Sequence, residues 1–344
     1  MQNMQEGAAN GAVYVQTNEP NNSVIAFRRG TDGVLDRQGV VATGGQGDGV
    51  PHLTSQGSVA LTQDGRHLLV TNAASDDISV FAVETDGLGA PDLVATGAQP
   101  KSVTEHEGLV YVLNTGTPSV TGFRFVDGRL TPVAGSERPL ATDADPAQVG
   151  FSPDGSTLIV TQRGTDSITS FTVGSDGLLG EPQSHPSSGP TPYGFAFSSD
   201  GTLVVTEAFR AEKGAAAAST YSVENGSVTP ISTSVGNGRS EICWAVVTKD
   251  GRHVFTTNFA DGAVSRYAID MDGFLALEDA VAGTAVEGMT GLRDEDLTAD
   301  GRFLYAIDAD GGRIYGWSVG DGGALSAVGS WEGIPASVAG LAAS

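Results

Sequence analysis

The sequence is short of cysteine, lysine, aromatic residues and long apolar runs, and each shortage narrows what the chain can be. Cys243 is the only cysteine in 344 residues, so no intrachain disulfide forms and cysteine content gives no sign of an oxidising compartment. Nowhere do about 18 apolar residues run together, which leaves no helical membrane span. The stretch Met1 to Asn10 is polar and acidic, without a basic n-region or an apolar h-region. It predicts a cytoplasmic protein with a flexible N-terminus over residues 1–10, although a secreted chain lacking its leader reads the same way. Basic residues number 18 against 41 acidic ones, a formal charge of −23, and only Lys101, Lys213 and Lys249 are lysines. Such a surface repels nucleic-acid phosphates and anionic lipid, so neither is an expected partner. There is no Cys/His cluster at zinc spacing, no P-loop and no dinucleotide fingerprint; the glycine-rich stretch Thr43 to Gly49 has no helix behind it. No metal and no cofactor is expected.

What the chain has in abundance is glycine, 48 residues, about twice the usual ~7% share. The glycines recur in a pattern. SVALTQDGRHLLVTNAASDDISVFAVETDGL from Ser58 is repeated as AQVGFSPDGSTLIVTQRGTDSITSFTVGSDGL from Ala147, and again from Tyr193, Cys243 and Glu295. A shortened copy starts at Lys101, and GAVYVQTNEPNNSVIAF from Gly11 makes seven. The turn dipeptides at Asp64, Glu107, Asp154, Asp200, Asp250 and Asp300 are spaced as four-stranded propeller blades are. Asp-Gly between alternating apolar runs is a hairpin signal, because glycine accepts the positive φ of the turn.

The pattern predicts an all-β, seven-bladed β-propeller of four antiparallel strands per blade, a single domain over residues 11–344. The first unit lacks an inner strand and the last is followed by a strand without a partner. Ser337 to Ser344 is therefore expected to complete the blade that begins at Gly11, sharing one blade between the N- and C-terminal strands and leaving no open edge. Within the inner strands, Val59 and Leu61, Val149 and Phe151, Phe195 and Phe197, and Ala245 and Val247 read as core. The alternate residues Ala60, Gly150 and Ala196 read as small residues facing a crowded channel, with Gln148, Trp244, Asp294 and Asp296 near its mouth. A propeller needs no partner to fold, so a monomer is expected.

The loops entering the inner strands and those leaving the second strands share one face, and the entering loops are longer than hairpins require, so a site is expected there. A polar residue opens every loop of the second set: Asn18, Asn72, Asn114, Gln162, Glu207, Asn258 and Asp308. Asn and Asp at such positions commonly bond local backbone. Glu207 is a carboxylate where most units have an amide, which makes it a candidate general acid or base. His52 is a second candidate, against the plain reading of a surface histidine. Lys101, Arg138, Arg163, Arg210, Arg239 and Arg293 fall in segments of the same face, where they can orient a small anionic substrate by paired hydrogen bonds or simply pair with the abundant acids. Gln148, Trp244 and Asp296 complete the substrate-binding candidates. Cys243 reads as buried and structural, and a calcium ion held by Glu207, Asn258 and Asp308 is a further geometric option.

The units SPDGSTLIVTQRGTDSITSFTV and KDGRHVFTTNFADGAVSRYAI resemble the seven-bladed lactonase propellers, a family that includes 6-phosphogluconolactonases and carboxymuconate cyclases. The resemblance runs from Gly11 to Ser344 and is strongest to bacterial members known only as lactonase-family proteins. It implies a metal-independent lactonase or cycloisomerase acting on a small carboxylated substrate at the channel mouth, without a cofactor. The characterised branch is similar to a pattern with Gly-Pro-Arg-His entering an inner strand and Asn-Glu ending the second; here Tyr193 and Gly194 stand at the Arg and His positions, and Glu207 and Ala208 at Asn and Glu. That branch's acid, base and anion clamp are not carried over. A non-enzymatic binding or scaffold propeller is the alternative, and fold does not choose between them.

Overall fold

The computed structural model describes residues 11–50, 55–85, 87–286 and 288–344; His52 and residues 1–10 lie outside this set. Seven antiparallel sheets follow one another along the chain. Blade 5 is representative, with an inner strand Pro192–Phe197, then Leu203–Glu207, Ala217–Glu224 and an outer strand Ser227–Gly236. Blade 6 repeats it as Ile242–Val247, His253–Asn258, Ala263–Ile269 and Leu275–Thr284. Two blades break their outer strand. Blade 2 splits it into Gly87–Leu88 and Asp92–Ala95, and blade 3 into Arg129–Pro132 and Arg138–Pro139. No helix among the described residues is long and apolar enough to cross a membrane.

The first hairpin of blade 2 is stapled by its aspartate. Asp64 Oδ1 accepts from the backbone N–H of Arg66 at 3.0 Å and from the Thr62 hydroxyl at 2.7 Å, while Gly65 takes φ +67°. The same arrangement returns at Asp154 and Asp250. These bonds favour the ionised form and hold all three carboxyls below the usual range.

Closure follows the expected route. Gly340–Ala343 pairs antiparallel with Gly11–Gln16, Val13 opposite Ala343 and Gln16 opposite Gly340, so the tail supplies the inner strand of blade 1. The hydroxyl of Ser344 accepts from the Ala12 N–H at 2.9 Å. An edge that would otherwise expose unpaired backbone is thereby covered.

Seven apolar clusters lie between consecutive blades. Val59 joins Tyr14, Val24 and Phe81 between blades 1 and 2; Val149 joins Tyr111 and Phe171 between blades 3 and 4; Phe195 joins Ile159 and Tyr221 between blades 4 and 5. The inner-strand residues expected in the core are there. The small alternates also pack against the next blade, which refines the sequence reading, while Ala196 lines the channel as well. Ala60 packs against the cluster between blades 2 and 3, and Ala196 against that between blades 5 and 6. A Cβ at Gly150 would meet the Phe195 ring at 2.8 Å. Small residues stand there because the next blade presses a large one against them, as close packing requires.

The inner edges of the sheets carry backbone groups with no fifth strand to pair them, and side chains from neighbouring blades take that role. Gln148 accepts from the Phe195 N–H at 2.6 Å and donates to its carbonyl at 3.0 Å. Asp294 and Asp296 accept from the N–H groups of Leu341 and Ala343 at 3.3 and 2.8 Å. Gln56 reaches furthest: it accepts from the Ala245 N–H at 3.3 Å and donates to its carbonyl at 3.0 Å, joining blade 2 to blade 6. A Cβ at Gly194 would collide with the Gln56 amide, which explains glycine at that position of blade 5.

Candidate functional site

The antiparallel register brings the start of every inner strand beside the end of the second strand: Pro146 is opposite Gln162, Pro192 opposite Glu207, Ile242 opposite Asn258 and Leu292 opposite Asp308. Residues next to these positions therefore converge around the channel on one face. Ala147, Tyr193, Ala208, Cys243 and Trp244 form a buried cluster there, with Phe259 packed on it. The rings of Tyr193 and Trp244 meet at 60° with centroids 5.5 Å apart, and the Trp244 indole donates to the Ser55 carbonyl at 3.2 Å.

Two guanidinium groups flank this aromatic floor. Arg163 lies over the Tyr193 ring at 4.9 Å and is fixed by Asp145 at 2.5 Å. Arg293 lies over Phe259 at 5.5 Å. Only 2% of Arg293 is exposed, and its Nε and Nη1 have no hydrogen-bond partner among the described residues. Burial pulls its pKa down, opposed first by the Asp310 carboxylate, then by Tyr193 and Cys243, and least by Asp308. The Tyr193 hydroxyl is also buried and has no hydrogen-bond partner among the described residues; burial, and then Cys243, push its pKa up while both arginines pull it down. A buried cation with vacant N–H groups is costly unless something anionic meets it.

The nearby acids and the thiol have distinct protonation tendencies. Burial raises the Cys243 thiol far above its usual value, and Glu241 raises it further, so Cys243 is a neutral packing residue that donates weakly to the Glu241 carbonyl. Asp308 is raised mainly by burial, with one oxygen accepting from the Gly311 N–H at 2.8 Å. Glu241 is raised by burial and by Asp261. Carboxyls shifted toward neutrality are suited to proton transfer.

Of the candidates drawn from the sequence, Arg163, Trp244 and Arg293 are brought together. Glu207 is not with them: it is 0% exposed, with Oε1 accepting from Gly189 N–H at 2.9 Å and Ser219 at 2.5 Å, and Oε2 accepting from Ser234 at 2.7 Å, all within blade 5. Burial raises its pKa and those three bonds oppose the rise. Four of the equivalent residues behave alike, Asn72 bonding Ser79, Asn114 bonding Thr121, Gln162 bonding Thr169 and Asn258 bonding Ser265. These side chains tie the second strand to the third, so Glu207, Asn258 and Asp308 each bond within their own blades and do not converge on a shared cation. Gln148 and Asp296 are occupied with inner-edge backbone, as described above. Lys101 pairs with Asp48 at 3.3 Å. Arg210 is exposed and paired with Asp166, Arg138 donates to the carbonyls of Gly135, Glu137 and Leu179, and Arg239 forms no ion pair among the described residues. His52 lies outside the described residues. Tyr193, Phe259 and the Ser55–Gln56 segment were not singled out for the site; Tyr193 alone had a signal, an aromatic residue standing where the related pattern has arginine.

Comparison with known proteins agrees with this architecture. The family model "Lactonase, 7-bladed beta-propeller" matches residues 7–138, 103–208 and 205–337. A putative 6-phosphogluconolactonase from Bacteroides uniformis superposes with a TM-score of 0.78 at 18% identity, covering 98% of this chain and 100% of its own. A functionally unknown protein from Desulfotomaculum acetoxidans gives 0.76 at 15%, covering 97% and 99%. The periplasmic gluconolactonase of Pseudomonas aeruginosa gives 0.73 at 18%, also covering 97% and 99%. No protein with a curated description is significantly similar in sequence. With the family model spanning nearly all of the described blades, the chain belongs to the seven-bladed β-propeller lactonase family.

Proposed function

We propose that the protein is a metal-independent lactonase that opens a small carboxylated lactone between Arg163 and Arg293. The observation that carries this reading is the Arg293 guanidinium, buried beside the Tyr193 hydroxyl, with Nε, Nη1 and that hydroxyl unpaired among the described residues. Such donors suit the oxygen on which charge develops when water adds to an ester carbonyl, because in a desolvated site they act without reorganising. Arg163, held by Asp145, orients the substrate's own carboxylate over Tyr193. Asp308 is the cross-strand partner of Leu292, the residue before Arg293, and its raised pKa suits it to take the proton from the attacking water. The ring carbon–oxygen bond then breaks, the alkoxide takes that proton back, and a hydroxy acid leaves. Arg163 and Phe259, the partly exposed members of the group, mark the entry.

The test is a panel of carboxylated lactones followed by proton release, comparing the natural chain with Arg293→Ala. Loss of turnover by about 10²–10³-fold is expected for removal of one such donor. Retained turnover refutes the assignment, and saturable binding without any turnover favours a ligand-binding propeller instead.

A further inference from the structure

Gln56 divides the central channel, because its amide bridges to Ala245 below the aromatic cluster of Tyr193 and Trp244. Beneath it a cavity of about 420 Å³ opens on the opposite face, that of the Asp-Gly turns. Phe197, Val247 and Leu297 supply apolar walls, Gln56 lines it as a roof, and Lys249 and Gly301 lie at the rim. The volume falls within the range of small-molecule sites. Asp296 is the only carboxylate in this lining.

Asp296 is half-buried and has no cationic partner among the described residues. Its Oδ1 accepts from the Leu297 N–H at 2.9 Å and its Oδ2 from the Ala343 N–H at 2.8 Å, which leaves further lone pairs on both oxygens. Lys249 does not neutralise it; the ammonium donates instead to the Ala299 carbonyl at 3.3 Å.

From this geometry we infer that the lower chamber binds a small organic ammonium ion, its charged head on Asp296 and its apolar body against Phe197, Val247 and Leu297. A carboxylate set among apolar walls is costly without a counter-charge. A bare metal cation needs several oxygen ligands, and the side chains of this lining offer one carboxylate, the Gln56 amide oxygen and the Thr298 hydroxyl, the last two already engaged. An alkylammonium ion needs fewer, and its hydrocarbon part gains from covering the walls. The net charge of −23 raises the local concentration of any cation. This site lies across the Gln56 bridge from Arg293 and does not depend on the lactonase reading.

The experiment is an NMR titration of the full chain with tert-butylammonium, following the methyl groups of Val247 and Leu297, with tert-butanol as the neutral isostere. Saturable shifts are expected for the ammonium ion, and affinity at least tenfold weaker for the alcohol. Asp296→Asn should weaken ammonium binding at least tenfold. Because that change also disturbs the closing strand, Val247→Trp provides a second arm that fills the chamber and keeps the carboxylate; it should give the same loss. Arg293→Ala should leave the titration unchanged. Absence of saturation, equal affinity for the alcohol, or unchanged binding in Val247→Trp overturns the proposal.

Discussion

Gln56 and Ala245 stand 189 residues apart and exchange two hydrogen bonds across the centre of the ring. The pair mimics one rung of a β-ladder, made by a side chain where no strand exists. A third bond, from the Gln56 N–H to the Ala147 carbonyl at 3.2 Å, ties the same residue to blade 4. Replacing Gln56 with Ala strands the buried N–H and carbonyl of Ala245. Urea unfolding should show a loss of roughly 1–3 kcal/mol, the usual cost of unsatisfied buried groups. An unchanged midpoint and slope would mean that water serves Ala245 as well.

Arg293→Met separates function from stability. The natural guanidinium is buried without a hydrogen bond on Nε or Nη1 among the described residues, and replacing a poorly compensated buried charge with an apolar side chain of similar length is often neutral or stabilising by about 1–4 kcal/mol. The variant is expected to melt no lower than the natural chain while losing lactone turnover. A marked fall in melting temperature would instead assign Arg293 a structural role.

Glu207→Gln tests the opposite combination. Three donors converge on this carboxylate inside blade 5, and the amide can accept on only one of its two termini. Stability should fall by roughly 1–3 kcal/mol, with kcat/KM for any lactone substrate within about twofold of the natural value at a temperature where both are folded. A selective loss of kcat in a variant of natural stability would return Glu207 to the catalytic candidates.

The strand carrying Asp294, Glu295 and Asp296 makes stability depend on pH. Burial pushes Asp294 and Glu295 well above the carboxylate range and Asp296 up to about 7. For an acid whose folded pKa is raised, the favourable contribution is complete below the unfolded value near 4 and is lost as pH rises through the folded value. Unfolding free energy should therefore decline between pH 4 and 8, by roughly 1–3 kcal/mol from Asp296 alone, and Asp296→Asn should flatten that part of the profile. A profile that rises over the same interval refutes the assignment of these shifts.

The architecture was legible in the sequence because it rests on local rules repeated seven times. Asp-Gly turns, alternation in strands such as His67–Asn72, and a tail resembling an unpartnered first strand lead to the observed ring. Alternation defines two faces of a strand but not what stands opposite each, so Ala60, Gly150 and Ala196 were read as facing a crowded channel, whereas each also meets the next blade. The site was less legible. Arg163, Trp244 and Arg293 were visible because cations are scarce and strand ends are predictable. Tyr193 and Gln56 owe their roles to contacts between distant blades, which no neighbouring residue announces.

The shared blade also sets a schedule for a nascent chain. The Gly11–Gln16 strand is made early, yet its inner neighbour Gly340–Ala343 emerges only after the other six blades. Ala12 and Ser344 are 332 residues apart, and at synthesis rates of roughly 5–20 residues per second the interval is on the order of 15–65 s. Throughout that time the N-terminal sheet carries a bare backbone edge, available to any passing extended polypeptide, and it is the arrival of Gly340–Ala343 that retires it.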